Sequence, residues 1–130
     1  MKLFRKLSLN ILCIFSLMAM VGCIPLLIGA VAGVGGMTFV KGKLIHNVDH
    51  TVSQVNKASL KALKDLHLFV TSDELNKRSS VIKAEYESGK NISVFIDALT
   101  ERSSRITIRI GTFGDPEKSQ AILNAILKKL

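Results

Sequence analysis

The stretch RITIRIGTFGDP, residues 105–116, decides the fold of this chain. Isoleucine occupies every second position from 106 to 110 with Arg or Thr between, the pattern of a strand with one buried and one solvated face. Two glycines follow, and Asp115 and Pro116 then have the residue types of an N-cap and a first helical residue. The stretch therefore predicts a strand, a tight turn and the start of a helix.

The same alternation occurs twice upstream of this stretch. VIKAEYES (residues 81–88) and NISVFIDALT (residues 91–100) are joined by a turn of Ser88, Gly89 and Lys90. Short alternating runs in succession predict an antiparallel meander that buries one face. The side chains expected to face inward are those of Ile82, Ala84, Tyr86, Ile92, Val94, Ile96, Ala98, Ile106, Ile108 and Ile110.

Two more strands are predicted before the meander. TFVKGKLIHNV (residues 38–48) has strand-like composition with Gly42 as a bulge, and HLFVTS (residues 67–72) forms the second strand.

Two amphipathic helices complete the pattern. Thr51 and Gln54 have the spacing of a capping box for the first helix, with Asp49 as a competing N-cap, and Asp115 caps the second. The expected apolar stripes are Val52, Val55, Ala58 or Ser59, Ala62, Leu63 and Leu66 on the first helix, and Ala121, Ile122, Ala125, Ile126 and Leu130 on the second.

The predicted order is β-α-β-β-β-β-α. This is an α+β fold, in which two helices pack on one face of an antiparallel sheet. The inward residues of three strands and two helix stripes suffice for a core at this size.

The N-terminus has the layout of a secretory signal peptide. Lys2, Arg5 and Lys6 precede an apolar run without charge, and small residues follow. The sequence Met20-Val21-Gly22-Cys23 resembles the bacterial lipobox, with Met in place of the commoner Leu. That resemblance implies cleavage between Gly22 and Cys23 and lipidation of the Cys23 thiol.

The rival interpretation is an uncleaved single-pass membrane anchor. No charged residue occurs from Leu7 to Val40, which exceeds the roughly 20 residues that a bilayer crossing needs. Gly29 and Gly33 form a GxxxG pair that would let two helices approach closely in lipid. The alternatives are a flexible apolar tether at the level of the headgroups and a segment packed onto the domain.

The expected organisation is a lipoprotein signal peptide (residues 1–22), a lipidated glycine-rich apolar tether (residues 23–37) and a periplasmic α+β domain (residues 38–130). Cleavage would remove Cys13 and leave Cys23 alone, so no disulfide is expected in the exported chain. It would also remove three cations and lower the net charge from +8 to +5. With no Trp and one Tyr for base stacking, nucleic acid is not an expected partner.

No catalytic constellation is visible, and neither a metal nor a cofactor is expected. His46 and His50 are four residues apart, but a strand-to-helix turn is predicted between them and no further ligand completes a zinc site. GTFGDP, residues 111–116, is predicted to be a turn and not a phosphate loop, because Asp115 would place a carboxylate where an anion should bind. The serines at 79, 80, 103 and 104 lack a His–Asp arrangement.

The chain resembles a family of small bacterial lipoproteins of unknown function. The matching segments are GCIPLLIGAVAG (residues 22–33), FVKGKL (residues 39–44), LKALKDL (residues 60–66) and RITIRIGTFGDPEKSQAIL (residues 105–123). The last of these is the most specific. The resemblance implies a location and a fold, and no activity or catalytic residue.

The expected function is that of a membrane-anchored envelope lipoprotein, a non-catalytic structural or binding module. The alternatives are the uncleaved anchor and a periplasmic small-ligand-binding or hydrolytic domain. The expected partners are the bilayer, through acylated Cys23, and anionic envelope polymers at Lys83, Arg105 and Arg109 or a protein.

The expected location is the outer membrane, facing the periplasm. Residue 24 is Ile and not the Asp that retains some similar lipoproteins in the inner membrane. The inner membrane is the alternative.

Overall fold

The structure, a computed structural model, describes Met1, Lys6 and residues 36–130. The lipidation and cleavage predictions at Gly22 and Cys23 lie outside the described residues, as does the GxxxG pair. One compact unit begins at Gly35 and runs to Leu130. Its elements in chain order are β1 (Thr38–Val40), β2 (Lys43–Val48), α1 (Val52–Asp65), β3 (Phe69–Leu75), β4 (Ser79–Glu85), β5 (Asn91–Ala98), β6 (Ser104–Ile110) and α2 (Pro116–Leu127).

The six strands form one antiparallel sheet in the order β1-β2-β6-β5-β4-β3. The last four strands of the chain are a meander, and β2 closes it by pairing with β6, so that Leu44 lies opposite Ile108. On the other side of β6, Val94 lies opposite the same residue. The α+β fold and its element order are therefore as predicted, with the first predicted strand divided into β1 and β2.

Both helices cover one face of this sheet. Helix α1 contacts β3, β4 and β5, whereas α2 contacts β6 and β2. The inward isoleucines of β4, β5 and β6 are fully buried between them, as the alternation predicts. The core thus lies in a single layer between the sheet and the helix pair.

Helix α1 begins and ends with local signals that its sequence supplies. The Thr51 side chain accepts a hydrogen bond from the Gln54 backbone N–H, and the Gln54 side chain accepts one from the Thr51 N–H, which confirms the capping box and excludes Asp49 as the cap. At the other end, His67 adopts a φ of 56°. The Leu68 N–H then donates to the Leu63 carbonyl at 2.9 Å, which is the Schellman arrangement.

Helix α2 begins as predicted. The Asp115 side chain accepts a hydrogen bond from the Lys118 backbone N–H, and Pro116 is the first helical residue. Among the described residues, no helix has both the length and the apolar character needed to cross a bilayer.

The bulge predicted at Gly42 is wrong, since residues 38–48 form two strands. Lys41 and Gly42 have φ values of 49° and 77°, and Val40 pairs with Lys43 across them. Two successive positive φ values define the two-residue type I′ turn, which matches the twist of a hairpin. The chain therefore reverses at Gly42 and adds an edge strand.

Two positions of the helix stripes are also wrong. Leu66 is exposed because it is the C-cap, where the chain has already left the helix. On α2, Ala121 is exposed and Leu123 is fully buried. Alanine fits either face of a helix, so its position does not fix the stripe, whereas the larger Leu123 gains more by burial.

The β1–β2 turn packs against the GTFGD loop backbone to backbone. A Cβ added to Gly42 would lie 2.5 Å from the Phe113 carbonyl oxygen, and one added to Gly114 would overlap the backbone of Gly42. Glycine is therefore required at both positions for close approach. The contact fixes the hairpin beside the N-terminus of α2.

Candidate functional site

The face of the sheet that the helices do not cover carries most of the charged side chains of the strands. Lys43 pairs with Arg109, Arg109 pairs with Ser93, and Ser93 pairs with Lys83. These four residues form one row across β2, β6, β5 and β4, which we call the basic row.

The geometry of the basic row follows from strand spacing. Neighbouring strands lie about 5 Å apart, so Lys43 and Arg109 are about 5 Å apart at the backbone and Arg109 and Lys83 about 10 Å. Arg109 is also fixed in place, because its Nη2 donates a hydrogen bond to the Thr112 carbonyl oxygen at 2.6 Å. Three cations thus share a line in which no acidic side chain intervenes.

Arg105 faces the same side but is not part of the basic row. Its Nε donates to Asn47 Oδ1 at 3.4 Å, and its neighbour on β5 is Asp97. Its charge therefore lies beside a carboxylate. Of the three cations expected on this face, Lys83 and Arg109 are in the row, and Lys43 was missed although it also points outward on its strand.

An apolar row runs alongside the basic row. Ile45 pairs with Thr107, Thr107 with Phe95 and Phe95 with Val81. All four are half-buried without help from a helix. The outer face is therefore basic around Lys83 and Arg109 and partly apolar beside them, and the outward positions of Val81 and Phe95 in their alternating runs are the signal for the apolar part.

The two histidines near the β2–α1 turn do not converge. His46 points inward on β2 beside Ile106 and is only 8% exposed, whereas the His50 carbonyl accepts a hydrogen bond from Ser104 Oγ at 2.7 Å. Burial lowers the pKa of the His46 imidazole below its usual range, and a backbone hydrogen bond with Gly36 opposes this shift. In residues 36–130, His46 Nδ1 has no hydrogen-bond partner.

No three potential metal ligands cluster in the part of the chain that the structure describes. A partly buried polar cluster does join α1 to the sheet: Asn56 Nδ2 donates to Asp73 Oδ1 and to Ser80 Oγ, both at 2.8 Å. The sequence analysis missed it because the three residues are far apart in the chain. The buried Asn56 amide finds two acceptors in this cluster, so the cluster positions α1 on the sheet.

The GTFGDP turn is a structural element, as predicted. The Asp115 carboxylate accepts from the Lys118 N–H and lies 3.6 Å from Lys90 Nζ and 3.9 Å from Lys118 Nζ. The hydrogen bond from Lys118 N–H and these two cations hold the pKa of Asp115 below its usual range. A carboxylate therefore occupies the place that a bound phosphate would need.

A cleft of about 1090 Å³ lies at the other end of the sheet. The start of α1, the β3–β4 turn and the β5–β6 loop line it, and its charged lining residues are Lys77, Arg78 and Glu101. The described lining contains neither His nor Cys.

Comparison with known proteins identifies a family and no activity. No curated protein matches the chain. The family model described as "Protein of unknown function (DUF3568)" matches residues 6–129. Because this match covers nearly the whole sequence, the chain belongs to the DUF3568 family.

Proposed function

We propose that this chain is a lipid-anchored module of the bacterial cell envelope that acts by binding and not by catalysis. The observation that carries the proposal is the order of signals at the N-terminus: three cations, an uncharged run, and then Gly22 and Cys23 in a lipobox-like sequence. After the 14 residues 24–37, an α+β domain follows, whose first strand β1 starts at Thr38.

The length of the tether sets where the domain can work. Residues 24–37 can span at most about 50 Å when fully extended. Acyl chains on Cys23 would contribute on the order of 0.8 kcal/mol per buried CH₂, so that two or three chains anchor the protein stably. The domain would then remain within a few tens of Å of the bilayer.

Mass spectrometry of the protein purified from bacterial membranes tests the anchor. The expected N-terminus is Cys23 carrying acyl mass, and Cys23→Ala should abolish both the processing and the lipidation. A chain that still begins at Met1 and stays in the membrane fraction after Cys23→Ala would instead establish the uncleaved anchor.

The binding role that the geometry supports is attraction of anionic envelope polymers by the basic row. A line of three cations spaced about 5 and 10 Å apart complements a chain of repeated negative charges, and salt screens such attraction over about 10 Å. The adjacent apolar row adds contact surface for the uncharged parts of such a polymer.

A charge-matched comparison tests this role on the domain, residues 36–130. Lys43→Gln with Lys83→Gln should weaken binding to lipopolysaccharide or peptidoglycan at low salt. Lys57→Gln with Lys61→Gln removes the same charge from the exposed side of α1 and should leave most of the binding. If both double variants lost the same amount of binding, the binding would depend on net charge alone. That result would contradict a site on the sheet.

A further inference from the structure

One corner of the domain exposes a group of large apolar side chains. Met37, Phe39 and Val40 are between 38% and 45% exposed, and Phe113 is 92% exposed. With Lys41 they form what we call the β1 edge patch. A phenylalanine this exposed on a fixed loop has gained nothing from folding, because nearly all of its apolar surface remains in water.

The members of the β1 edge patch are held together by backbone contact. Met37 to Lys41 are consecutive, and the backbone of the Lys41–Gly42 turn packs on Phe113 and Gly114. The Arg109 guanidinium bonds the Thr112 carbonyl next to the exposed ring. The loop therefore presents Phe113 from a fixed position beside β1.

The two edges of the sheet are protected differently. Strand β3 at one edge contains a bulge between Val70 and Ser72 and carries Asp73 and Glu74, which are the usual devices against edge pairing. Strand β1 at the other edge contains neither a charge nor a bulge. Its protection against edge pairing is its length of only three residues, and the apolar side chains around it stay exposed.

The sequence around β1 indicates what kind of surface lies against it. The uncharged run from Leu7 ends at Val40, and Lys41 and Lys43 are the first charged residues after Lys6. Apolar side chains bordered by lysines match the boundary between acyl chains and anionic headgroups. Strand pairing with a second copy of this chain fits less well. Strand β1 has only three residues, whereas strands are typically about five or six residues long.

We infer that the β1 edge patch lies against the bilayer surface, with Phe113, Phe39 and Val40 at the headgroup–acyl boundary and Lys41 at anionic phospholipid headgroups. This inference rests on the proposed anchor at Cys23, which keeps the patch at high local concentration near the membrane. The backbone groups on the outer side of β1, which have no strand partner in residues 36–130, stay at the level of the headgroups, where water satisfies them.

A single introduced tryptophan tests the contact in the full acylated protein. The chain has no Trp, so Phe113→Trp creates a unique fluorophore, and the exposure of Phe113 keeps the change away from the core. The protein is reconstituted into vesicles of phosphatidylethanolamine and phosphatidylglycerol, with and without bromine on the acyl chains. Phe69→Trp is the matched control, since Phe69 is 63% exposed on the opposite edge strand.

The expected result is a blue-shifted indole emission that brominated lipid quenches in Phe113→Trp and leaves nearly unchanged in Phe69→Trp. Adding Lys41→Glu should reduce the quenching, and Phe39→Trp should reproduce it. Protein that floats with the vesicles but shows no quenching in Phe113→Trp would overturn the inference and leave the anchor standing.

Two other outcomes would also overturn the inference. A blue shift without bromine quenching would assign the patch to a protein contact, with a second copy or another chain. Protein that does not float at all would overturn the anchor at Cys23 and this inference together.

Discussion

Ile108 and Thr107 are neighbours on the central strand β6 and face opposite sides of the sheet. Ile108 lies between Leu44 and Val94 and is fully buried. Ile108→Ala should therefore lower the free energy of unfolding by about 2–5 kcal/mol, the range for truncating a buried large aliphatic side chain. Thr107→Ala on the open face should cost less than about 1 kcal/mol.

Chemical denaturation of residues 36–130 would measure both costs. Equal costs at the two positions would show that the outer face is covered as well. The apolar row of Ile45, Phe95 and Val81 would then be an internal contact, and the basic row beside it could not serve a polymer.

His46 should make stability depend on pH. Burial lowers its folded pKa below the usual 6.5, so the unfolded chain binds the proton at a pH where the folded chain does not. Stability therefore rises with pH in that window, and the free energy of unfolding should fall as the pH drops from about 6.5 through the folded pKa.

His46→Gln should flatten this pH dependence in denaturation curves recorded from neutral pH downward. His67→Asn is the control, because it removes an exposed imidazole from a positive-φ position that Asn also tolerates. The same slope in His46→Gln as in the unaltered protein would assign the pH dependence to the carboxylates.

At the scale of single residues, the period-two rule placed every isoleucine of β6 correctly. It failed to predict that His46 is buried. The sequence does not show whether a polar side chain at an inward position finds hydrogen-bond partners there. The Asn56–Asp73–Ser80 cluster was hidden for a related reason. Its members interact only after α1 packs on β3 and β4.

At the scale of elements, the β1–β2 turn at Gly42 and the β6–α2 loop at Gly114 pack against each other. Gly114 and Gly89 have φ values of 82° and 81°, but a Cβ on Gly114 would overlap Gly42 whereas one on Gly89 meets nothing within 4 Å. Gly89→Ala should cost about 1–2 kcal/mol, the left-handed backbone penalty for an L-residue. Gly114→Ala should cost clearly more, because it adds the clash.

The difference between the two variants, measured by thermal or chemical denaturation, isolates the contact between the turns. If Gly114→Ala proved no worse than Gly89→Ala, the two turns would have to separate at little cost. The fixed position of Phe113 would then be lost.

Element boundaries were predictable wherever a cap fixed them. Thr51 with Gln54, and Asp115 with Pro116, located the starts of both helices. The β1–β2 hairpin was not predictable. A positive φ at Lys41 is energetically unfavourable for a residue with a side chain, and Lys-Gly is not among the dipeptides that favour such a turn. The backbone contact with Gly114 supplies what the dipeptide lacks.

For the molecule as a whole, the location of the anchor is the main prediction. Because residue 24 is Ile and not Asp, the chain should reach the outer membrane and present its domain to the periplasm. Density-gradient separation of the two membranes would show it in outer-membrane fractions. Recovery only with the inner membrane would contradict this prediction and favour retention or an uncleaved anchor.

The layered architecture followed from the sequence, but the order of the strands did not. The pairing of β2 with β6 joins residues that are about 60 positions apart, as in Leu44 and Ile108, and alternation alone does not choose partners at that distance. The basic row depends on this pairing, because it brings Lys43 next to Arg109. The candidate site could therefore be anticipated only in part.

The weak hold of the first strand has a mechanical consequence. Strand β1 is joined to β2 by three residue pairs, and none of its side chains is buried. A pull from the membrane would load the hairpin at its open end, Thr38, and peel the pairs apart one at a time. That would release about 17 Å of chain for residues 38–42 before tension reached the core. The first strand would thus give way under load while the rest of the sheet stayed folded, and the peeling would stop at the contact between Gly42 and Gly114.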